Sequence, residues 1–434
     1  MPQIFNYILI ALIGGVASFL VNRSVAVFND GLRPILPEYL EGRITRKELA
    51  ATSFALNFGL VIGFGIPISL GTTIIIGHSL LLAADMIGTW MPDSKKGAVL
   101  AGIVGAVYSV AIMVGLEMVV KVFSLLPVNF LDSMSLIAKP VAIAMAVFPA
   151  VAVGQQHGIK KAVITFGFTM AAYLLVARFG QIPMGGGVVA TISPEGISLM
   201  AGMLVMIYFA MSSKGPDGEG SNAMLVSLFG ERVGRIKKNL PWFCLMGGML
   251  SMASSMGLLA VHALPHQLMV DGKIGEAALA TIARAIGFIP LVFSTAIVTG
   301  VFALAGTTMV YGIGLLLYGN PLFAFAGGVC CMFLEVMLIT VVARFLDRFP
   351  GVRDMGEHIR HSLSTVIGTA LLIGSAFACN AIAPTLGFYW LIGVLLINRM
   401  AKKKMVEVAI GPVATIVLGI MVNLLFLVGL FVPA

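Results

Sequence analysis

The sequence predicts an all-α, polytopic transmembrane bundle with about 11–14 membrane segments, some short enough to be re-entrant hairpins. Three observations carry that expectation. Of 434 residues, 59% are hydrophobic and 11% charged, whereas a soluble domain carries roughly 25% charged residues. The apolar residues come in runs close to the roughly 20 that a spanning helix needs, and the mean hydropathy is +1.03. The basic residues cluster in alternate loops. Most of the surface therefore faces lipid, which excludes soluble, disordered and collagen-like classes.

Apolar segments run over 4–21, 49–76, 79–90, 97–120, 140–154, 159–177, 194–211, 242–262, 281–302, 303–318, 321–343, 363–381, 384–398 and 407–431. Segments 79–90 and 303–318 are short for a full span, which suggests half-helices or hairpins. Thr45-Arg46-Lys47-Glu48 reads as a capping box opening the second segment. The polar stretch 212–241 starts as a Gly/Ser linker and continues into an amphipathic piece, Glu231–Lys238, with its basic residues at headgroup level. It divides the chain into an N-terminal membrane half, 1–211, and a C-terminal half, 242–434.

With the N-terminus outside, 22 of the 27 Lys and Arg fall in cytoplasmic loops, so the positive-inside rule expects both termini outside. Pairing two short segments into a hairpin leaves that parity unchanged. The net charge of +8 then marks cytoplasmic loops rather than nucleic-acid binding. Cys244, Cys330, Cys331 and Cys379 lie in apolar stretches without CxxC spacing and read as small core residues. Met1–Tyr7 has no positive n-region, so no removable signal is expected.

Many secondary transporters hold substrate where broken helices of two structural repeats meet. Phe64–Gly77 aligns without gaps on Gly287–Gly300, bringing Pro67 onto Pro290, Thr72 onto Thr295, Ile74 onto Ile297 and Gly77 onto Gly300. A proline inside a span frees a carbonyl, which is tolerated where it lines a polar cavity. Pro67 and Pro290 are thus expected at broken helices. The first stretch enters from the cytoplasm and the second from outside, so an inverted pair is expected. Gly, Pro, Ile and Thr are common in membrane helices, and chance remains the other explanation of the match.

An ionisable group at the bilayer centre costs about 2.5–3.5 kcal/mol on insertion scales, so each is a functional candidate. Asp85 follows the first proline stretch, where a substrate or ion ligand belongs; Arg284 precedes the second and suits an anion or the outer interface. Glu335 has no basic neighbour in its segment and reads as a coupling group or an interhelical hydrogen-bonding group. Glu117 and Lys121 are spaced for a local salt bridge. In the first cytoplasmic loop, Asn29-Asp30-Gly31-Leu32-Arg33 alternates with apolar residues, as in a segment packed into the protein. Arg33 can grip a carboxylate or phosphate and Asp30 an amine or cation, or the two can pair structurally. Thr307, Thr308 and Asn380 add neutral hydrogen-bonding groups. His262 with His266, and His358 with His361, lack accompanying acid or thiol ligands, so no metal and no cofactor is expected.

No lysine precedes Ser or Thr, so no Walker A motif exists; H-E-x-x-H and G-x-S-x-G are absent too. These absences argue against an enzyme. Arg23–Pro37 followed by Glu41-Gly42 resembles the YhfT family of bacterial inner-membrane proteins, as do Asn239-Leu240-Pro241, Gly287–Leu291 and the ending Gly429–Ala434. The resemblance runs the whole length and implies an inner-membrane transport protein, with no substrate or binding residues attached. More distantly, the arrangement is similar to the membrane subunits of galactitol- and ascorbate-type phosphotransferase systems, which work as elevators. The expectation is a secondary transporter of a small anionic or zwitterionic metabolite, coupled to a proton or Na+, in the bilayer, with a homodimer as one permitted assembly. The alternative is a membrane subunit or scaffold that partners soluble proteins through 212–241 and 344–362.

Overall fold

In hydrocarbon every backbone N–H and C=O needs a partner from the protein, which leaves helices as the default solution for an open chain. The computed structural model describes residues 3–29, 32, 35–61, 69, 74–130, 133, 136–185, 188–192, 194–213, 233–346, 350–402, 404–405 and 407–432. The first half contains α1 (Gln3–Asn22), α2 (Ile35–Leu40), α3 (Arg46–Leu60), α4 (Gly77–Trp90), α5 (Lys95–Ser124), α6 (Ala138–His157), α7 (Ile159–Phe179) and α8 (Pro194–Met211). The second contains α9 (Leu240–Ser255), α10 (Ala263–Val270), α11 (Ile274–Thr299), α12 (Leu304–Leu316), α13 (Pro321–Leu346), α14 (Pro350–Ile382), α15 (Leu386–Met400) and α16 (Glu407–Leu427). Short strands interrupt them: β1 (Ala26–Val27), β2 (Ile75–Ile76), β3 (Gln181–Gly185), β4 (Val188–Thr191), β5 (Leu259–Ala260) and β6 (Phe302–Ala303). Among the described residues, six helices are long and apolar enough to cross a membrane. The chain is an all-α polytopic bundle.

Hydropathy located the apolar runs but not their breaks. The run 49–76 is not one helix, because α3 ends at Leu60 and β2 covers its last two residues. The run 242–262 stays helical only to Ser255 and then extends as β5. Arg46 opens α3 as the sequence implies: the Thr45 side chain accepts from the Glu48 backbone N–H, and Glu48 accepts from the Thr45 N–H. Helix α11 runs through position 290 and stops at Gly300, whose φ of +67° suits a residue without Cβ. The interruption expected at Pro290 therefore lies ten residues later. Pro67 lies outside the described residues.

The elements recur in order. The run α1–β1–α2–α3–β2–α4–α5 is matched in kind by α9–β5–α10–α11–β6–α12–α13, and three helices follow each run. The strands pair across the halves in parallel: Ala26 with Phe302 and Val27 with Ala303, then Ile75 with Leu259 and Ile76 with Ala260. The strand that follows the first helix of one half thus meets the strand that breaks the hairpin of the other. Ile75 and Phe302 open the corresponding strands, which is four residues out of register with the gapless match of 64–77 to 287–300.

At about 1.5 Å per residue, α4 and α12 reach only about 20 Å, short of the roughly 30 Å hydrocarbon layer. They are return arms. The Asn22 side chain, ending α1, donates to the carbonyls of Gly88 (2.9 Å), Met91 and Pro92 (both 3.2 Å). Arg46, opening α3, donates to Gly88 (2.7 Å) and Met91 (3.2 Å). Hence α3 and α4 start and finish on one side, as a re-entrant hairpin does. Tyr39 lies under the Arg46 guanidinium and donates to Asp93 at 2.5 Å; burial first, then that carboxylate, push its hydroxyl pKa up. In the second half, the Gly319 N–H donates to Ser255, bringing the end of α12 back to the end of α9. Phe19, near the end of α1, packs on Trp242, near the start of α9, at 5.0 Å. The two first helices are therefore antiparallel, and the hairpins open to opposite faces.

Helix α1 packs closely on α5 and α9 on α13, both contacts through glycines. A Cβ at Gly328 would run into the Gly247 carbonyl, a backbone atom that cannot yield. The hairpin units form one group; α6–α8 and α14–α16 form another, joined by α6 against α14. The groups meet mainly where α8 lies on α11 and α16 on α3. This grouping cuts across the two sequence halves. Most of the linker, 214–232, lies outside the described residues; beyond it Val233 and Ile236 are buried and Arg235 donates to the Ser24 carbonyl at 2.5 Å.

Cysteines placed at Glu41 and Ser94, both exposed, should react with a membrane-impermeant maleimide from one side of sealed vesicles. A cysteine at exposed Lys273 should react only from the other. Labelling of positions 41 and 94 from opposite sides would remove the first hairpin.

Candidate functional site at the hairpin tips

The first loop is as apolar inside as its pattern suggests: Val25, Ala26, Val27, Phe28 and Leu32 are all buried. Strand β1 ends at Val27, so the next two backbone N–H groups, of Phe28 and Asn29, need acceptors. Asp85, two turns into α4 and fully buried, supplies them. Its Oδ1 accepts from Phe28 at 2.9 Å, and its Oδ2 from Phe28 at 3.1 Å and Asn29 at 2.7 Å. Thr89 donates to the Asp85 carbonyl one turn on. The Asn29 side chain donates to Asn57 of α3 at 2.8 Å, and Asn57 donates to the Ser53 carbonyl. Asp85 thus holds the chain leaving β1 against the return arm of the first hairpin, and Asn29 ties it to the other arm. Asp30 and Arg33, which continue this segment, lie outside the described residues, as do the side chains of Glu117 and Lys121.

The second junction is chemically different. Beyond β2 comes His78, and beyond β5 comes His262; the β2–β5 register brings both to one place. His262 is half-buried, its Nε2 is shielded from solvent without a hydrogen-bond partner among the described residues, and Arg284 of α11 and His78 are the titratable groups nearest to it. The Arg284 guanidinium lies over the Phe288 ring at 4.9 Å. His266 turns away and its Nε2 meets the Ile74 carbonyl at 3.2 Å. No group of three metal-ligating residues occurs among the described residues. Fully buried Tyr311 approaches the same place, its hydroxyl beside Gly77 and without a partner among the described residues.

The junctions are equivalent in position. Asn29 and His262 each stand two residues beyond the strand that follows a first helix. Asn57 and Arg284 each stand about three turns into a hairpin's first arm. One place carries amides and a carboxylate, the other imidazoles and a guanidinium. Sequence reading singled out Asp85 and Arg284 but missed Asn57, His78 and Tyr311, because nothing local marks them. Their only signal is distance from a strand too short to leave a periodic pattern.

Other expected residues lie elsewhere. Thr307 and Thr308 are buried in the first turns of α12, next to the β6 strand. Asn380 accepts from the Thr385 N–H at 3.0 Å and shapes the turn between α14 and α15. Glu335 sits in mid-α13 behind β6, its Oε1 beside Gly306, which the Phe302 ring also approaches. Cys379 is buried as expected, but Cys330 is exposed on the outer surface of α13.

The YhfT family, described as proteins of unknown function, matches residues 6–431. The chain belongs to the YhfT family. A family relative from Escherichia coli (strain K12), named as uncharacterised protein YhfT, is 32% identical over 450 residues, covering all of both chains. No solved structure matches the chain.

Charge-assisted bonds to a buried carboxylate contribute about 1.5–3 kcal/mol each. Asp85→Asn, which turns one acceptor into a donor facing N–H groups, is expected to destabilise the protein by about 2 kcal/mol or more. The checks are thermal melting in detergent and proteolysis of the 22–45 segment. Unchanged melting together with an unchanged digest would mean that Asp85 does not hold the segment.

Proposed function

We propose that this protein is a secondary transporter of a small anionic or zwitterionic metabolite in the bacterial inner membrane. The observation that carries the reading is the pair of oppositely opening hairpins. Their tips cross at mid-protein, where half-buried Arg284 and His78 are the titratable neighbours of the shielded His262 Nε2. Polar and ionisable groups at such depth are expensive, and interrupted helices at a repeat interface are where transporters keep substrate. Arg284 offers a forked, permanently charged donor to a carboxylate or phosphate, and the imidazoles offer further donors.

The matched element order, the exchange of strands and the antiparallel first helices support two inverted repeats. Each has five spans and one hairpin, which is an odd number of crossings and so inverts the second copy. With both termini outside, this count agrees with the basic loops: the first hairpin opens to the cytoplasm and the second outward. The hairpin units form the moving body in this reading, and α6–α8 with α14–α16 the frame. Contact between them is concentrated on α3 and α11, which suits an elevator-like shift. Asp85 and Asn29 keep the first tip in shape. The substrate passes unchanged, driven by a coupling proton or Na+.

Purified protein in liposomes should accumulate or exchange at least one member of a panel of small carboxylates and phosphate esters. Arg284→Gln should lower that flux at least tenfold while leaving melting unchanged, and Arg284→Lys should restore part of it. A panel with no transported member, or full flux in Arg284→Gln, would overturn the reading.

A further inference from the structure

A cavity of ≈ 370 Å³ lies on the far side of the second hairpin, between α11, α12 and α13. Its walls are almost wholly apolar, including Ile289, Val292, Met309, Ile313, Leu334 and Leu338. Its size falls within the range of small-ligand pockets, roughly 300–1,000 Å³. The rim residues Ile289, Leu334 and Leu338 are exposed on the apolar outer surface, so the mouth faces lipid. Glu335 lines the cavity, and its Oε1 is shielded from solvent and has no hydrogen-bond partner among the described residues. The described residues facing it from α11 and α12 are apolar or glycine; the nearest titratable groups are the Cys330 and Cys331 thiols of its own helix.

We infer that this cavity binds a membrane-dissolved amphiphilic amine, with the apolar body in the cavity and the nitrogen on Glu335. A lone carboxyl at that depth needs a proton or a cation. A metal ion would need several oxygen ligands, and the described lining provides one carboxylate. A phospholipid ammonium stays at headgroup level, whereas Glu335 lies roughly 15–20 Å from either end of α13. A free amine crosses the hydrocarbon uncharged. On arrival the Glu335 carboxylic acid transfers its proton to the amine nitrogen, leaving an alkylammonium paired with a carboxylate, and no other reactant is required. Because the Glu335 carboxyl and the Phe302 ring both lie against Gly306, just beyond β6, an occupant would press on the tip of the second hairpin.

The test is photolabelling of the intact protein in nanodiscs by a twelve-carbon primary amine carrying a mid-chain diazirine, with the adducts mapped by mass spectrometry. Label should concentrate on 285–292, 306–313 and 327–338, and excess dodecylamine should displace it while dodecan-1-ol should not. Glu335→Gln should reduce this label at least tenfold, and Glu335→Asp should retain part of it. Equal displacement by the alcohol, or label spread evenly over α7 and α15, would overturn the inference. Unchanged labelling of folded Glu335→Gln would do the same. If Glu335→Gln does not fold, the amine-against-alcohol competition on the unaltered protein decides.

Discussion

Everything in this architecture follows from one demand: a backbone that stops being helical inside a membrane must find new hydrogen-bond partners. The chain stops being helical at four central places, after α1, after α9 and at the tip of each hairpin. At each the solution is a two-residue strand, and each strand is satisfied by one from the other half. Neither half can complete its own tip. The exchange fixes how deeply each hairpin penetrates, and it explains why buried polar residues gather there. Where the strands run out, N–H groups are left over, and Asp85 takes two of them.

That constraint also separates what the sequence could reveal from what it could not. Long spans such as α1, α7 and α16 are legible, because twenty apolar residues in a row have few other uses. The hairpins were half legible: α4 and α12 stood out as short segments, and charge parity left room for a return arm. The capping box at Thr45 and Glu48 is local chemistry and could be read directly. The strand exchange could not, since two residues carry no period and their partners lie more than 180 positions away. For the same reason the gapless repeat came out four residues out of register. Gly77 and Gly300 look alike, yet one follows a strand and the other precedes one.

The candidate site shows the same division. A buried acid in an apolar run announces itself, but its partner does not. Asp85 reads in sequence as a free ligand because its acceptors are satisfied by the backbone of Phe28 and Asn29, and backbone groups are invisible in composition. His262 reads as half of an unconvincing metal pair with His266, because spacing cannot reveal that a carbonyl at Ile74 takes one ring and Arg284 approaches the other.

Equivalent geometry with unequal chemistry is the feature that gives the proposed transporter a direction of argument. At the β1 side, the polar residues satisfy one another: a carboxylate meets amide N–H groups, and Asn29 meets Asn57. At the β5 side, the corresponding positions carry an imidazole and a guanidinium, with His78 beside them, and a ring nitrogen and a phenol hydroxyl stand without partners among the described residues. A buried polar atom left open in low dielectric destabilises the protein unless something else fills the place. The Arg284 guanidinium supplies the positive charge beside these open polar atoms. One junction therefore acts as a fixed brace, and the other, on the same scaffold, is the place where the proposed transporter would receive its anion.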